Sequence, residues 1–135
     1  MKNTLLWFCA FAAVLGSCQS SQEGQATQVA DVAGIWWQID HPHYDPAYLI
    51  LRQDGTYTFA SNPDGEHGAS GQYWFEDGKF MISDAFCTVP GEYEVNVKEQ
   101  KGDPLSLAFS LVEDDCPARV GILTTKEAIW FAPPP

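Results

Sequence analysis

The chain has 135 residues, 18 of them acidic and 7 basic, with a formal net charge of −11 at pH 7. That length allows one domain. So large an acidic excess argues against nucleic-acid binding, which needs clustered Lys and Arg to meet phosphates, and against a polybasic membrane-surface patch. It leaves a basic protein or a cationic ligand as a partner that the surface could steer, although such an excess more often serves solubility in an extracytoplasmic space.

Residues 1–3 (MKN) are weakly positive and residues 5–15 (LLWFCAFAAVL) form an apolar run. The run is too short to span a bilayer, which takes about 20 residues, and fits the apolar core of a secretory signal. It ends in Leu15-Gly16-Ser17-Cys18, which resembles the lipobox of bacterial lipoproteins. The resemblance implies a signal peptide over residues 1–17, cleavage before Cys18, and acylation of Cys18, palmitate included. The expected protein is anchored by lipid in the bacterial cell envelope, periplasmic or surface-exposed, with the membrane as its first partner. Several acyl chains hold firmly where one is marginal. Residues 18–31 are rich in Gln, Ser and Gly. A segment so poor in large apolar groups is expected to be a flexible tether.

With Cys9 lost with the signal and Cys18 lipidated, Cys87 and Cys116 remain. In an oxidising compartment a disulfide between them is favoured over a reactive thiol or a metal pair. Neither cysteine lies in Cys-x-x-Cys or beside a positioned His.

From residue 32 to residue 132 no helical period appears, and turn residues recur at short intervals between alternating runs. Strands are expected over residues 34–40, 48–53, 56–60, 71–76 and 79–83. Asp54-Gly55 and Asp77-Gly78 are two-residue hairpin signals between them. Residues 92–98 alternate cleanly, with Tyr93, Val95 and Val97 inward; then Leu105, Leu107, Phe109 and Leu111 share one face. Residues 120–123 and 128–131 are read as one or two last strands. The expected fold is all-β: an antiparallel up-and-down β-barrel of about eight strands, closed because closure removes exposed edges. A β-sandwich fits the same alternation.

Gly34-Ile35-Trp36 opens the first strand of this domain, as Gly-x-Trp does in the lipocalin-like (calycin) barrels. That resemblance implies that Trp36 lies at a closed barrel end, packed by a late arginine, for which Arg119 is the candidate. The order Cys87-x-x-x-Gly91-x-Tyr93, then Asp114-x-Cys116-x-x-Arg119, is similar to small bacterial lipocalin-like domains. Asp54-Gly55-Thr56 and Gly71-Gln72-Tyr73 fit the same pattern, which spans roughly residues 32–131. The domain is shorter than typical members of that family.

For chemistry, His41-x-His43 with Asp45 behind it, and His67 in another loop, is the best set of metal ligands. Loop histidines beside Pro42 and Pro46 are more often plain surface residues, so no metal and no cofactor are assigned. Asp84, Glu113, Asp114 and Asp115 could pair as acid and base, but acidic loops are the default in so acidic a chain. No nucleophile elbow or phosphate loop occurs, and no enzyme is expected. Tyr57, Phe59, Tyr73, Phe75, Tyr93 and Phe109 face inward. They either line an apolar ligand pocket or fill a barrel only just wide enough for side chains. Trp37 and Trp74 lie on the other face and would mark a contact surface if exposed. The expected function is non-enzymatic binding of a small apolar ligand. The alternative is a protein-binding module or inhibitor of a basic envelope hydrolase.

Overall fold

Both Asp-Gly pairs turn the chain between paired strands. The computed structural model describes residues 22–134; the expected signal peptide, Cys9 and the lipidation candidate Cys18 lie outside the described residues. Asp77 and Gly78 both have positive φ (51° and 77°), the two-residue geometry that matches strand twist. The other turn is one residue longer than expected. Arg52 N–H donates to Thr56 O at 2.9 Å, so Gln53, Asp54 and Gly55 form a three-residue loop closed by Gly55 at φ 88°.

The elements are β1 (Gln22–Gln25), α1 (Val29–Val32), β2 (Gly34–Gln38), β3 (Ala47–Leu51), β4 (Thr56–Ala60), β5 (Ala69–Glu76), β6 (Lys79–Asp84), β7 (Gly91–Glu99), β8 (Ser106–Glu113), α2 (Pro117–Thr124), a 3-10 turn at Lys126–Ala128, and β9 (Ile129–Phe131). β2 to β9 pair in chain order, each pair antiparallel, and β9 returns to β2. Eight strands therefore close an up-and-down barrel, with β1 as one extra strand. That closure removes the sandwich alternative.

β1 corrects the tether reading. β6 pairs with β7 only over Gly91–Tyr93, which leaves the rest of that β7 edge open. β1 fills it, pairing Gln22 to Gln25 with Glu99 to Asn96, and Ala26 N–H continues to Val95 O at 2.7 Å. The pairing is between backbones, so composition gives no sign of it. α1 follows, with its Asp31 carboxylate accepting from Thr27 and Gln28 N–H and Val32 fully buried.

α2 corrects the second reading, since residues 120–123 are helical and not a strand. Pro117 occupies the first turn, where its fixed φ suits a helix, and Arg119 and Leu123, four apart, are both buried. A four-residue apolar run does not by itself separate strand from helix. Leu111 is a third correction. Beside it Val112 is an extra residue, because Tyr93 pairs with Leu111 and Glu92 with Glu113. β9 runs beside β8 only over Ser106–Ala108, so Leu111 and Val112 are left 48% and 46% exposed.

The connections sort to two ends. One end carries α1 and the short turns after β3, β5 and β7. The other carries the longer segments 39–46, 61–68, 85–90 and 114–128, with α2 lying among them. Between the ends the interior is largely filled. Phe80 stacks on Tyr73 (5.5 Å, 22°) and meets Phe75 and Phe109 edge-on, and Tyr93 meets Phe109 edge-on.

Candidate functional site

α2 covers the barrel at the end with the long loops, and its own polar groups show how it is held. The last carbonyls of a helix have no partner within it. Here the barrel supplies them. His41 Nε2 donates to Ile122 O (3.2 Å), Trp130 Nε1 to Leu123 O (3.3 Å), and Gln38 Nε2 to Thr125 O just beyond (3.0 Å). A carbonyl only accepts, so His41 carries its proton on Nε2; its Nδ1 accepts from His43 N–H at 3.1 Å.

The other end of α2 is fixed by Arg119. Nε and Nη2 grip the two oxygens of Asp114 (2.8 and 2.7 Å); Nη1 reaches Asp84 Oδ2 and Cys87 O (both 3.2 Å), and Nη2 also reaches Val89 O (2.8 Å). Tyr93 OH donates to Asp114 Oδ2 (2.6 Å) and Tyr57 OH to Asp84 Oδ2 (3.3 Å). Asp84 Oδ1 takes Phe86 and Cys87 N–H (2.9 and 2.8 Å) and Asp114 Oδ1 takes Cys116 N–H (3.0 Å). The disulfide Cys87–Cys116 is formed beside this network.

The electrostatics follow from burial. Burial pushes the Asp114 carboxyl up, but the bonds from Arg119, Tyr93 and Cys116 outweigh it and hold it below its usual 3.8. Burial, then the facing Asp84 carboxylate, raises the Tyr57 hydroxyl; burial and the bond to Asp114 raise Tyr93. Both phenols are neutral at any working pH. Burial lowers the His41 imidazole below 6.5, and neighbouring His43 adds to this against the Ile122 bond.

Between α2 and the barrel lies a cavity of about 140 Å³. Its walls include Leu49, Tyr57, Phe59, Ile82, Ile122 and Leu123, with Asp84, Arg119 and the disulfide along one side. Three of its residues are exposed and form its rim: Ala69, Phe86 and Ala118. Larger depressions on the surface, such as one of about 340 Å³ lined by Glu23, Gln25, Asp31 and Glu99, are more polar.

Of the six candidate ligand residues, only Tyr57 and Phe59 reach the cavity wall. Tyr73, Phe75, Tyr93 and Phe109 pack into the filled interior. The Arg119 expectation is corrected. Arg119 forms its bonds at the α2 end, while Trp36 Nε1 donates to Val32 O (2.8 Å) in α1 at the other. Gly34 does lie against the Trp36 indole, 3.7 Å from Nε1 by its would-be Cβ. His41 and His43 are in contact, with ring centroids 5.5 Å apart, but both His41 nitrogens are spent inside the protein, so the ring serves α2. Trp37 and Trp74 are half-buried, and the strongly exposed aromatic is Phe86 instead. Phe86, Ala69 and Ala118 went unnoticed in the sequence because their role depends on α2 being a helix.

No family model, characterised protein or solved structure matches this chain.

Two expected results follow from this geometry. A Cβ at Gly91 would run into the Asp114 carboxylate, so Gly91→Ala is expected to loosen Asp114 from Arg119 and cost about 1–3 kcal/mol. Urea unfolding monitored by tryptophan fluorescence reads that loss. The second concerns pH. Because the folded His41 pKa lies below its unfolded 6.5, the unfolded chain binds more protons in that window and stability falls as pH drops through 6.5. For Asp114 the loss begins only as pH falls through 3.8. The midpoint temperature should therefore begin to fall just below pH 6.5 in the native chain. In His41→Gln that early fall should be absent, leaving the carboxylate fall near pH 4.

Proposed function

We propose that this chain is a lipid-anchored protein of the bacterial envelope, lipocalin-like in design, that binds a small apolar molecule without transforming it. The apolar cavity under α2 carries the reading, with its rim of Ala69, Phe86 and Ala118. Its volume of about 140 Å³ is close to that of an apolar cavity of about 150 Å³ that takes up benzene. A ligand of one ring fits, and a long-chain lipid does not. Supporting a role in binding alone, the charged groups in the wall, Asp84 and Arg119, are each already engaged in several bonds. The anchoring rests on residues 5–18 of the sequence.

The test is methyl NMR on the mature chain in nanodiscs, titrated with toluene. Saturable shifts at Leu49, Ile82 and Leu123 are expected. Ala118→Trp, which closes the rim from an exposed position, should remove them. Shifts that never saturate, or that survive Ala118→Trp, count against the cavity as the site.

A second reading draws on Phe86 and Val89, 91% and 61% exposed, on a loop whose backbone is pinned by Asp84 and Arg119. Rigid exposed apolar groups in an acidic chain suit a basic protein partner, such as an envelope hydrolase. Salt-sensitive inhibition of such an enzyme, lost in Phe86→Asp, would support it; inhibition indifferent to Phe86 would not.

A further inference from the structure

An arginine in the wall of an apolar cavity suggests an anchor for a carboxylate ligand. The hydrogen-bond count along this wall points the other way. Arg119 has five N–H donors, and five bonds use them: two to Asp114, one to Asp84, and one each to the carbonyls of Cys87 and Val89. Nothing is left to offer a ligand anion. Asp84 accepts four bonds, from Phe86 N–H, Cys87 N–H, Arg119 and the Tyr57 hydroxyl. Its capacity for a ligand donor is likewise spent. The charge balance agrees, since one guanidinium faces two carboxylates, Asp84 and Asp114. The network formed by the wall pair Asp84 and Arg119 with Asp114 behind it is therefore net negative and disfavours an anion.

Tyr57 lines the cavity, and its hydroxyl keeps unused capacity. The Tyr57 hydroxyl gives its hydrogen to Asp84 at 3.3 Å, and its oxygen accepts from no donor among the described residues. It can accept one. A ligand ammonium would bring three donors to this single acceptor and leave the rest unsatisfied in an apolar space, at a cost that excludes it. A ligand with no donor would bind by burial alone.

We infer that the cavity selects neutral one-ring ligands that carry a single hydrogen-bond donor, phenols being the simplest class, with the donor delivered to the Tyr57 oxygen, and that it rejects carboxylates of the same size. The inference rests on the cavity being a ligand site at all, and the experiment separates the two.

Phenol and toluene have nearly the same shape and differ by hydroxyl against methyl, while benzoate adds charge. Each is titrated into the mature chain, native and Tyr57→Phe, and followed at the Leu49, Ile82 and Leu123 methyls. Toluene is expected to bind both proteins alike. Phenol should bind Tyr57→Phe about 3- to 10-fold more weakly than the native chain, the weight of one hydrogen bond. Benzoate should give no saturable shift at concentrations that saturate with phenol. If toluene and phenol both fail to bind the native chain, the ligand site itself is wrong. If toluene binds but phenol is indifferent to Tyr57→Phe, or benzoate matches phenol, the site stands and the selectivity is refuted. Should Tyr57→Phe not fold, NOE contacts in the native chain decide. Phenol bound with its hydroxyl edge towards Tyr57 supports the inference, and a ring with that edge turned to Phe59 and Leu123 overturns it.

Discussion

Arg119→Ala is expected to lower stability by about 3–5 kcal/mol, the cost of leaving a buried charge without its partner. The Arg119 and Asp114 side chains are 4% and 0% exposed, so water cannot replace the lost guanidinium. Asp114 would keep only Tyr93 OH and Cys116 N–H, and the carbonyls of Cys87 and Val89 would lose their donor. For a domain near 100 residues this means a midpoint fall of at least about 12 °C. Arg119→Lys should fall between the two, because an ammonium keeps the charge but cannot reproduce a five-donor fork. Calorimetry on the three proteins settles it. A midpoint for Arg119→Ala within about 3 °C of native would mean that the network is incidental to the fold.

Breaking the disulfide should have the next largest effect. Cys87 and Cys116 are 29 residues apart in sequence. Releasing a loop of that length frees the unfolded chain by an amount worth about 3–4 kcal/mol. The enclosed segment is β7 and β8 with their turn, so the bond joins the two loops flanking one hairpin. The Cys87→Ser/Cys116→Ser variant should show a urea midpoint about 1–3 M lower, with a steeper slope because the freed unfolded chain exposes more surface. A midpoint unmoved from native would show that the Arg119 network alone fixes these loops.

The barrel was legible where side chains alternate against a buried face. Tyr93, Val95 and Val97 against Glu92, Glu94 and Asn96 announce a strand, because one face meets the core and the other meets water. The disulfide was legible by counting cysteines. β1 was hidden because its stability comes from backbone bonds to an open edge of β7, which any polar sequence can make. α2 was hidden because Val120-Gly121-Ile122-Leu123 is apolar enough for either structure, and the contacts that decide, from Arg119 at one end and His41 at the other, join residues far apart in sequence. The candidate site suffered from the same error. With α2 read as a strand, Arg119 had no place except the resemblance-based one under Trp36, and no residue signalled a covered cavity. Tyr57 and Phe59 were found because they face inward, a property they share with Tyr73 and Phe109, which merely pack. Inward direction is written in the alternation, whereas the height of a side chain within the barrel depends on strand register.

The pairing of β1 with β7 also sets an orientation. Gln22 lies opposite Glu99, at the end of the barrel away from α2. Four residue steps separate Cys18 from Gln22, a reach of at most about 14 Å even fully extended. The lipid anchor proposed at Cys18 would then hold the barrel by its base on a short leash. The barrel would stand close to the bilayer with the cavity rim turned outward, filled from the aqueous side and not from the lipid beneath.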